Sequence, residues 1–302
     1  MAMNFFFTGP YRAFRLDLIK EKINRISPIK KSFAVAVWFL AVESGWFPHK
    51  QREFQCKDST LSLKYQGDTV STIVLILSTF MPLFLLWLAE SILAKPAGTK
   101  LSRTRISLKR AFHWFKKYYV CVIMSLALVE ALKVIVGGLR PHFFDTCRPN
   151  VLDYCNEGQL IQRYYCTNKD DSRAFVRDTQ KSFPSGHSTL SFLEAIFLAW
   201  YLQKRIPKFK SLFFIPLLQT LCLCWAFFCS LSRITDHRHH WYDVLVGSII
   251  GILFAIFCCK VSCKSFTNSN MSSLNPESPP LQKGISSRTS LRNGEDTSLN
   301  TV

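Results

Sequence analysis

The chain has 302 residues, of which 48% are hydrophobic and 19% charged, with a formal net charge of +18. Long apolar blocks alternate with short polar ones, which argues against an ordinary soluble domain and for a polytopic membrane protein. Its lysines and arginines lie between apolar blocks rather than on one amphipathic face, so they read as topology signals and not as a nucleic-acid surface.

The first thirty-one residues form a basic, amphipathic stretch without the layout of a signal peptide, expected to stay on the cytosolic side. Ser32 to Phe47 is the weakest predicted span, short and carrying Glu43. Five stronger ones follow: Thr69 to Ala94, Tyr118 to Leu139, Ser182 to Leu202, Ser211 to Leu231 and Trp241 to Val261. Six crossings return the chain to the side on which it began. The linker from Lys95 to Lys117 holds eight basic residues and no acid, and "QKRIPKFK" is basic, whereas Pro141 to Lys181 carries six charges of each sign. By the positive-inside rule the first two are cytosolic and the last faces outside. From Lys264 the composition turns to Ser, Thr, Asn and Pro, predicting a disordered cytosolic tail over 264–302 in which the sequon at Asn270 is unused.

Cys56, Cys147, Cys155 and Cys166 fall in outside loops, an even number suited to disulfides whose connectivity the sequence leaves open. Cys258, Cys259 and Cys263 at the cytosolic end of the last span read as small packing residues or as acyl acceptors. Gly247 and Gly251 form a small-xxx-small pair for close helix packing, within the bundle or between subunits.

Three charged clusters mark the outer ends of the third, fourth and sixth spans. In "ALKVIVGGLRPHF", Lys133 and Arg140 stand seven residues apart, expected to share a helix face; the plain alternative for Lys133 is a salt bridge to Glu130. In "SFPSGHS", Ser185, Gly186 and His187 open a helix whose free N–H groups favour an anion. "SRITDHRHHWYD" holds His237, His239, His240 and Asp243. Zinc is the first alternative there, but Arg233 and Arg238 would repel a divalent cation. Asp243 meets His239 at i, i+4 or His240 at i, i+3, and either histidine would serve as an oriented nucleophile.

Together these stretches resemble the type 2 phosphatidic acid phosphatase superfamily, most closely the animal lipid phosphate phosphatases, whose pattern is KxxxxxxRP, PSGH and SRxxxxxHxxxD. The resemblance implies an all-α membrane protein, a six-transmembrane-helix bundle of the phosphatase/haloperoxidase type spanning 32–263. It implies that His239 is the nucleophile with Asp243 behind it, that His187 is the acid, and that Lys133, Arg140, Ser185, Gly186 and Arg233 hold the phosphate. It implies a reaction without metal or other cofactor, on lipid phosphates such as phosphatidate, lysophosphatidate, sphingosine 1-phosphate and ceramide 1-phosphate, with a homo-oligomer also consistent. The expected location is the plasma membrane with the site outside, or an internal membrane with the site lumenal. Rival readings are a catalytically silent scaffold of the same descent, or a phosphatase for sugar phosphates or polyprenyl diphosphates.

Overall fold

The computed structural model describes residues 51–94, 99–206 and 213–266. The basic N-terminus, the predicted span Ser32 to Phe47, the second half of "QKRIPKFK" and the serine-rich tail beyond 266, with Asn270, lie outside the described residues.

Ser71 begins the first long helix, α1 (Thr72–Leu93), its hydroxyl accepting from the Val74 N–H at 3.3 Å. Thr99 caps α2 (Lys100–Val136) in the same way, through the Ser102 N–H at 3.3 Å. This helix starts in the basic linker, so Lys100 to Lys117 extends the span rather than looping back to it. It stops at Gly137, whose φ of 58° is left-handed and whose N–H donates to the Lys133 carbonyl at 3.0 Å. That stop corrects the shared helical face expected for Lys133 and Arg140, because Arg140 lies in the following loop.

A capping layer at this end of the helices follows, made of α3 (Phe143–Cys147), α4 (Arg173–Asp178) and the short antiparallel pair β1 (Phe54–Gln55) and β2 (Leu160–Ile161). Phe54, Phe143, Phe144 and Tyr164 form its aromatic core. Disulfides Cys56–Cys155 and Cys147–Cys166 fix the connectivity that the sequence left open.

The remaining long helices are α5 (Gly186–Arg205), α6 (Phe214–Thr235) and α7 (Trp241–Phe257), the last continued by a π-helical turn at Cys258–Ser262. Among the described residues, four helices are long and apolar enough to cross a membrane: α1, α2, α6 and α7 with its extension. The fourth predicted span, α5, is not among them. It is the central helix, packed against α7, α6, α1 and α2, and it buries Ser188, Thr189, Ser191 and Glu194. A helix surrounded by other helices needs no apolar face toward lipid, so its hydropathy is lower.

Gly247 and Gly251 bring α7 onto α5, where a Cβ at either would collide with the carbonyls of Ser185 and Thr189. The small-residue pair is therefore used inside the bundle. Glu90 of α1 is fully buried and accepts from Tyr201 Oη at 2.9 Å and from Arg205 Nη2 at 2.9 and 3.0 Å, pinning α1 to the far end of α5. Cys258, Cys259 and Cys263 are buried, which assigns them to packing. Phe266, within the segment expected as tail, is also buried and meets Trp114, Phe197 and Tyr201.

Candidate active site

Backbone hydrogen bonds stitch three loop regions together at one end of the bundle. The Arg140 N–H donates to the Thr179 carbonyl at 2.8 Å, the Ser182 N–H to the Gly138 carbonyl at 2.8 Å, and the Ser185 N–H to the Asp243 carbonyl at 3.1 Å. The clusters after α2, before α5 and before α7 thus share one site. Gly186 belongs to it directly, since a Cβ there would stand 4.0 Å from Lys133 Nζ.

His239 is almost wholly buried, and its two ring nitrogens face different chemistry. Nδ1 lies 3.5 Å from Ser182 Oγ and 3.7 Å from Asp243 Oδ2, while Nε2 lies 3.4 Å from Arg140 Nη1. Asp243 alone does not choose between histidines, because His240 Nδ1 is 3.6 Å from the same oxygen. The surroundings do. His240 is the N-cap of α7, donates its N–H to Asp243 Oδ2 at 3.0 Å and stacks on Tyr242 with ring centroids 5.0 Å apart. His237 turns away, its Nδ1 2.7 Å from the Lys64 carbonyl. The histidines diverge rather than converge, and among the described residues no three His, Cys, Asp or Glu side chains are grouped as metal ligands.

The cations are held by carboxylates. Lys133 pairs with Glu130 at 2.7 Å, the plain alternative read from the sequence, and does so beside Gly186. Arg140 binds Asp178 through Nη2–Oδ1 at 2.8 Å and Nε–carbonyl at 2.8 Å, leaving Nη1 toward His239 and the Arg238 carbonyl at 3.0 Å. Arg233 donates to Asp68 at 2.9 Å and Asp236 at 2.7 Å, and Asp236 in turn accepts from Thr69. Arg238 joins both sets, 3.0 Å from Asp178 and 3.3 Å from Asp68.

Sequence reasoning missed Asp68, Asp178, Ser182 and His142, and treated Arg238 only as a charge. Ser182 donates its hydroxyl to Asp243. His142 directly follows the Arg-Pro pair and is fully buried between Tyr65, Phe175 and Arg238. That position in "RPHF" was the available signal, whereas the two aspartates carry no local one.

These contacts set the charge states in the loops. Burial, reinforced by the Arg140 guanidinium, lowers His239 to about 3 despite Asp243, so the ring is neutral. Burial and the charges of Arg140 and Arg238 likewise lower His142 to about 3. Burial alone would raise Asp178, but Arg140 and Arg238 hold it at about 2. In the first turn of α5, His187 Nε2 is buried with no hydrogen-bond partner among the described residues. A neutral, oriented imidazole beside guanidinium groups, with a second histidine unengaged nearby, can attack an anionic centre and deliver a proton.

The family model described as "PAP2 superfamily" matches residues 114–266. The "Putative phosphatidate phosphatase" of Drosophila melanogaster is 30% identical over 258 residues, covering 79% of this chain and 67% of that one. The "Phospholipid phosphatase homolog 1.2 homolog" of Caenorhabditis elegans is 33% identical over 260 residues, with 82% and 74% covered. "Lipid phosphate phosphatase 1" of Saccharomyces cerevisiae is 30% identical over 237 residues, with 74% and 82% covered. No solved structure matches the chain.

Proposed function

The chain belongs to the PAP2 superfamily, and from that premise we propose that it is a membrane lipid phosphate phosphatase working through a phosphohistidine at His239. The observation that carries this reading is the orientation of His239, with Nδ1 toward Ser182 and Asp243 and Nε2 toward Arg140.

In the proposed reaction Nε2 of neutral His239 attacks phosphorus in line with the ester oxygen. The N–P bond forms as the P–O bond breaks, and His187, which takes up a proton when the dianionic phosphate binds beside it, gives that proton to the leaving alkoxide, releasing a lipid alcohol. His187 then takes a proton from water as the water oxygen attacks phosphorus. Inorganic phosphate leaves and neutral His239 returns. Asp243 supports the positive imidazolium side of the intermediate.

Lys133, Arg140 and Arg233 balance charge on the nonbridging oxygens, the service a divalent cation gives in many phosphoryl transfers, so the scheme needs no metal. The Ser185 and Gly186 end of α5 adds backbone N–H groups and the positive end of the helix dipole. Arg140 is the best placed of the cations, with one edge fixed by Asp178 and the other facing His239.

The site lies at one end of apolar helices, so a substrate reaches it with its tails still in lipid. Phosphatidate, lysophosphatidate, sphingosine 1-phosphate and ceramide 1-phosphate fit that entry equally. In the proposal α5 and the predicted first span count with the four apolar helices, six crossings in all, and by the positive-inside rule the site is taken to face the outside at the plasma membrane or the lumen of an internal membrane.

The test is phosphate release from fluorescent lysophosphatidate by protein-bearing membranes in excess chelator, with acid-labile, base-stable labelling by radioactive phosphate as second readout. Chelator-resistant release, with label lost in His239→Ala, is the expected result. Activity abolished by chelation, or label retained in that variant, refutes the scheme.

A further inference from the structure

Glu194 lies seven residues beyond His187 on α5, two turns and roughly 10 Å farther along the same helix stripe. Its side chain is buried, 2% exposed, and neither carboxyl oxygen has a hydrogen-bond partner among the described residues. Ser78 and Trp225 flank it. The Ser78 hydroxyl, however, donates to the Leu75 carbonyl at 2.9 Å, and the Trp225 indole nitrogen is itself buried without a partner. A buried carboxyl inside a membrane bundle is costly and normally paired, as Glu90 is by Tyr201 and Arg205 in the same protein.

These unpartnered groups border a cavity of about 700 Å³ between α1, α5 and α6, otherwise lined by apolar side chains such as Leu85, Ala89, Leu198 and Leu218. Its volume is that of a small-molecule site, about 300–1,000 Å³. From Glu194 the lining runs along α5 to Ile206, toward the end opposite His187. It is therefore separate from the phosphate site.

We infer that this cavity is a binding site for a lipid alcohol, its hydroxyl between Glu194 and Trp225 and its chain along the apolar walls. A carboxyl buried in this way keeps its proton, so it donates through one oxygen and accepts through the other, while the indole N–H donates; a hydroxyl is the simplest head that accepts from these donors and donates back to the carboxyl. An ammonium would leave the indole unpaired, and an ether would leave the accepting oxygen of the carboxyl so. A lipid alcohol is also what phosphatase action on a lipid phosphate leaves behind. The site is nevertheless tested by binding, without turnover, so its failure is distinct from failure of the phosphatase reading.

The experiment uses the full chain in detergent micelles with a diazirine-bearing hexadecanol, its methyl ether and the corresponding amine, and maps crosslinks by mass spectrometry. The alcohol is expected to label the α1, α5 and α6 segments that line the cavity, in competition with unlabelled hexadecanol. Labelling by the ether should be about fivefold weaker, the worth of one buried hydrogen bond. Glu194→Leu should erase the preference for alcohol over ether, and Trp225→Phe, a change milder for folding, should lower alcohol labelling by a similar factor. Equal labelling by alcohol and ether in the wild type overturns the proposal and leaves an apolar slot only. Stronger labelling by the amine, unchanged in Trp225→Phe, overturns it in favour of a cationic head.

Discussion

Asp178 grips Arg140 from one side, accepting from Nη2 on its carboxylate and from Nε on its own backbone carbonyl, both at 2.8 Å. The grip leaves Nη1 of Arg140 3.4 Å from His239 Nε2. A guanidinium has a fixed fork of donors, so holding one edge determines where the other points. In the proposed reaction Asp178 is therefore a positioning residue. Asp178→Asn should lower kcat by about tenfold with KM changed less, whereas Arg140→Ala, which removes a donor to the transition state, should cost about a hundredfold to a thousandfold. Initial rates on a soluble short-chain lysophosphatidate separate the two. Equal losses in both variants would contradict the division of roles.

His239 and His240 lie at nearly equal distances from Asp243, at 3.7 and 3.6 Å, yet their expected variants differ. His239→Ala should abolish turnover. His240→Ala should retain activity within a few-fold and lose about 1 kcal/mol of stability, because its ring stacks on Tyr242. Phosphate release and a thermal melt on both variants check this.

Much of the proposed site was legible because the residues proposed as nucleophile and acid, and those that open α5, sit in short motifs at helix ends, although the choice of His239 over His240 came from the family pattern and not from spacing. The lipid-facing helices were legible for the same kind of reason, since apolar residues cover them over whole turns. The counter-ions were not: Arg140 and Asp178 are 38 residues apart, Arg233 and Asp68 165 residues apart, and no periodicity encodes a pairing made by tertiary packing. Central α5 was read as a span although its buried serines and Glu194 weaken its hydropathy. The end of α2 was misplaced because the apolar pattern runs through Gly137 to Leu139, while the left-handed turn at Gly137 ends the helix.

Acid should destabilise the protein well before its carboxylates titrate. His239 and His142 stay neutral in the folded chain down to about 3, whereas in the unfolded chain they take up protons near 6.5. Stability is then level above that pH and falls as pH drops below it, by about 1.4 kcal/mol per unit for each histidine at most. Asp178, whose folded pKa is also lowered, acts in the same sense, but its contribution is lost only below 3.8. Melting curves between about pH 5 and 8 should show the decline on the acid side, and His142→Gln should make it shallower. A flat profile in the wild type would show that neither histidine is excluded from protonation.

The contact between α5 and α7 offers a test that links packing to catalysis. A Cβ on Gly247 would run into the Ser185 carbonyl, a backbone atom that cannot swing aside as a side chain can. One turn earlier on α7, the Asp243 carbonyl accepts the Ser185 N–H at 3.1 Å. A wedge at Gly247 therefore separates the residue that opens α5 from the carboxylate behind His239. Gly247→Ala should cost about 1–3 kcal/mol in stability through overpacking. It should also lower kcat more than KM, since the two halves of the site shift relative to each other while the cations remain. Ile249→Ala, on the exposed face of the same helix, supplies the control and should leave the rate unchanged. If Gly247→Ala lowers the melting temperature yet turns over at the wild-type rate, the α5–α7 contact is structural and the catalytic geometry rests on the loops alone.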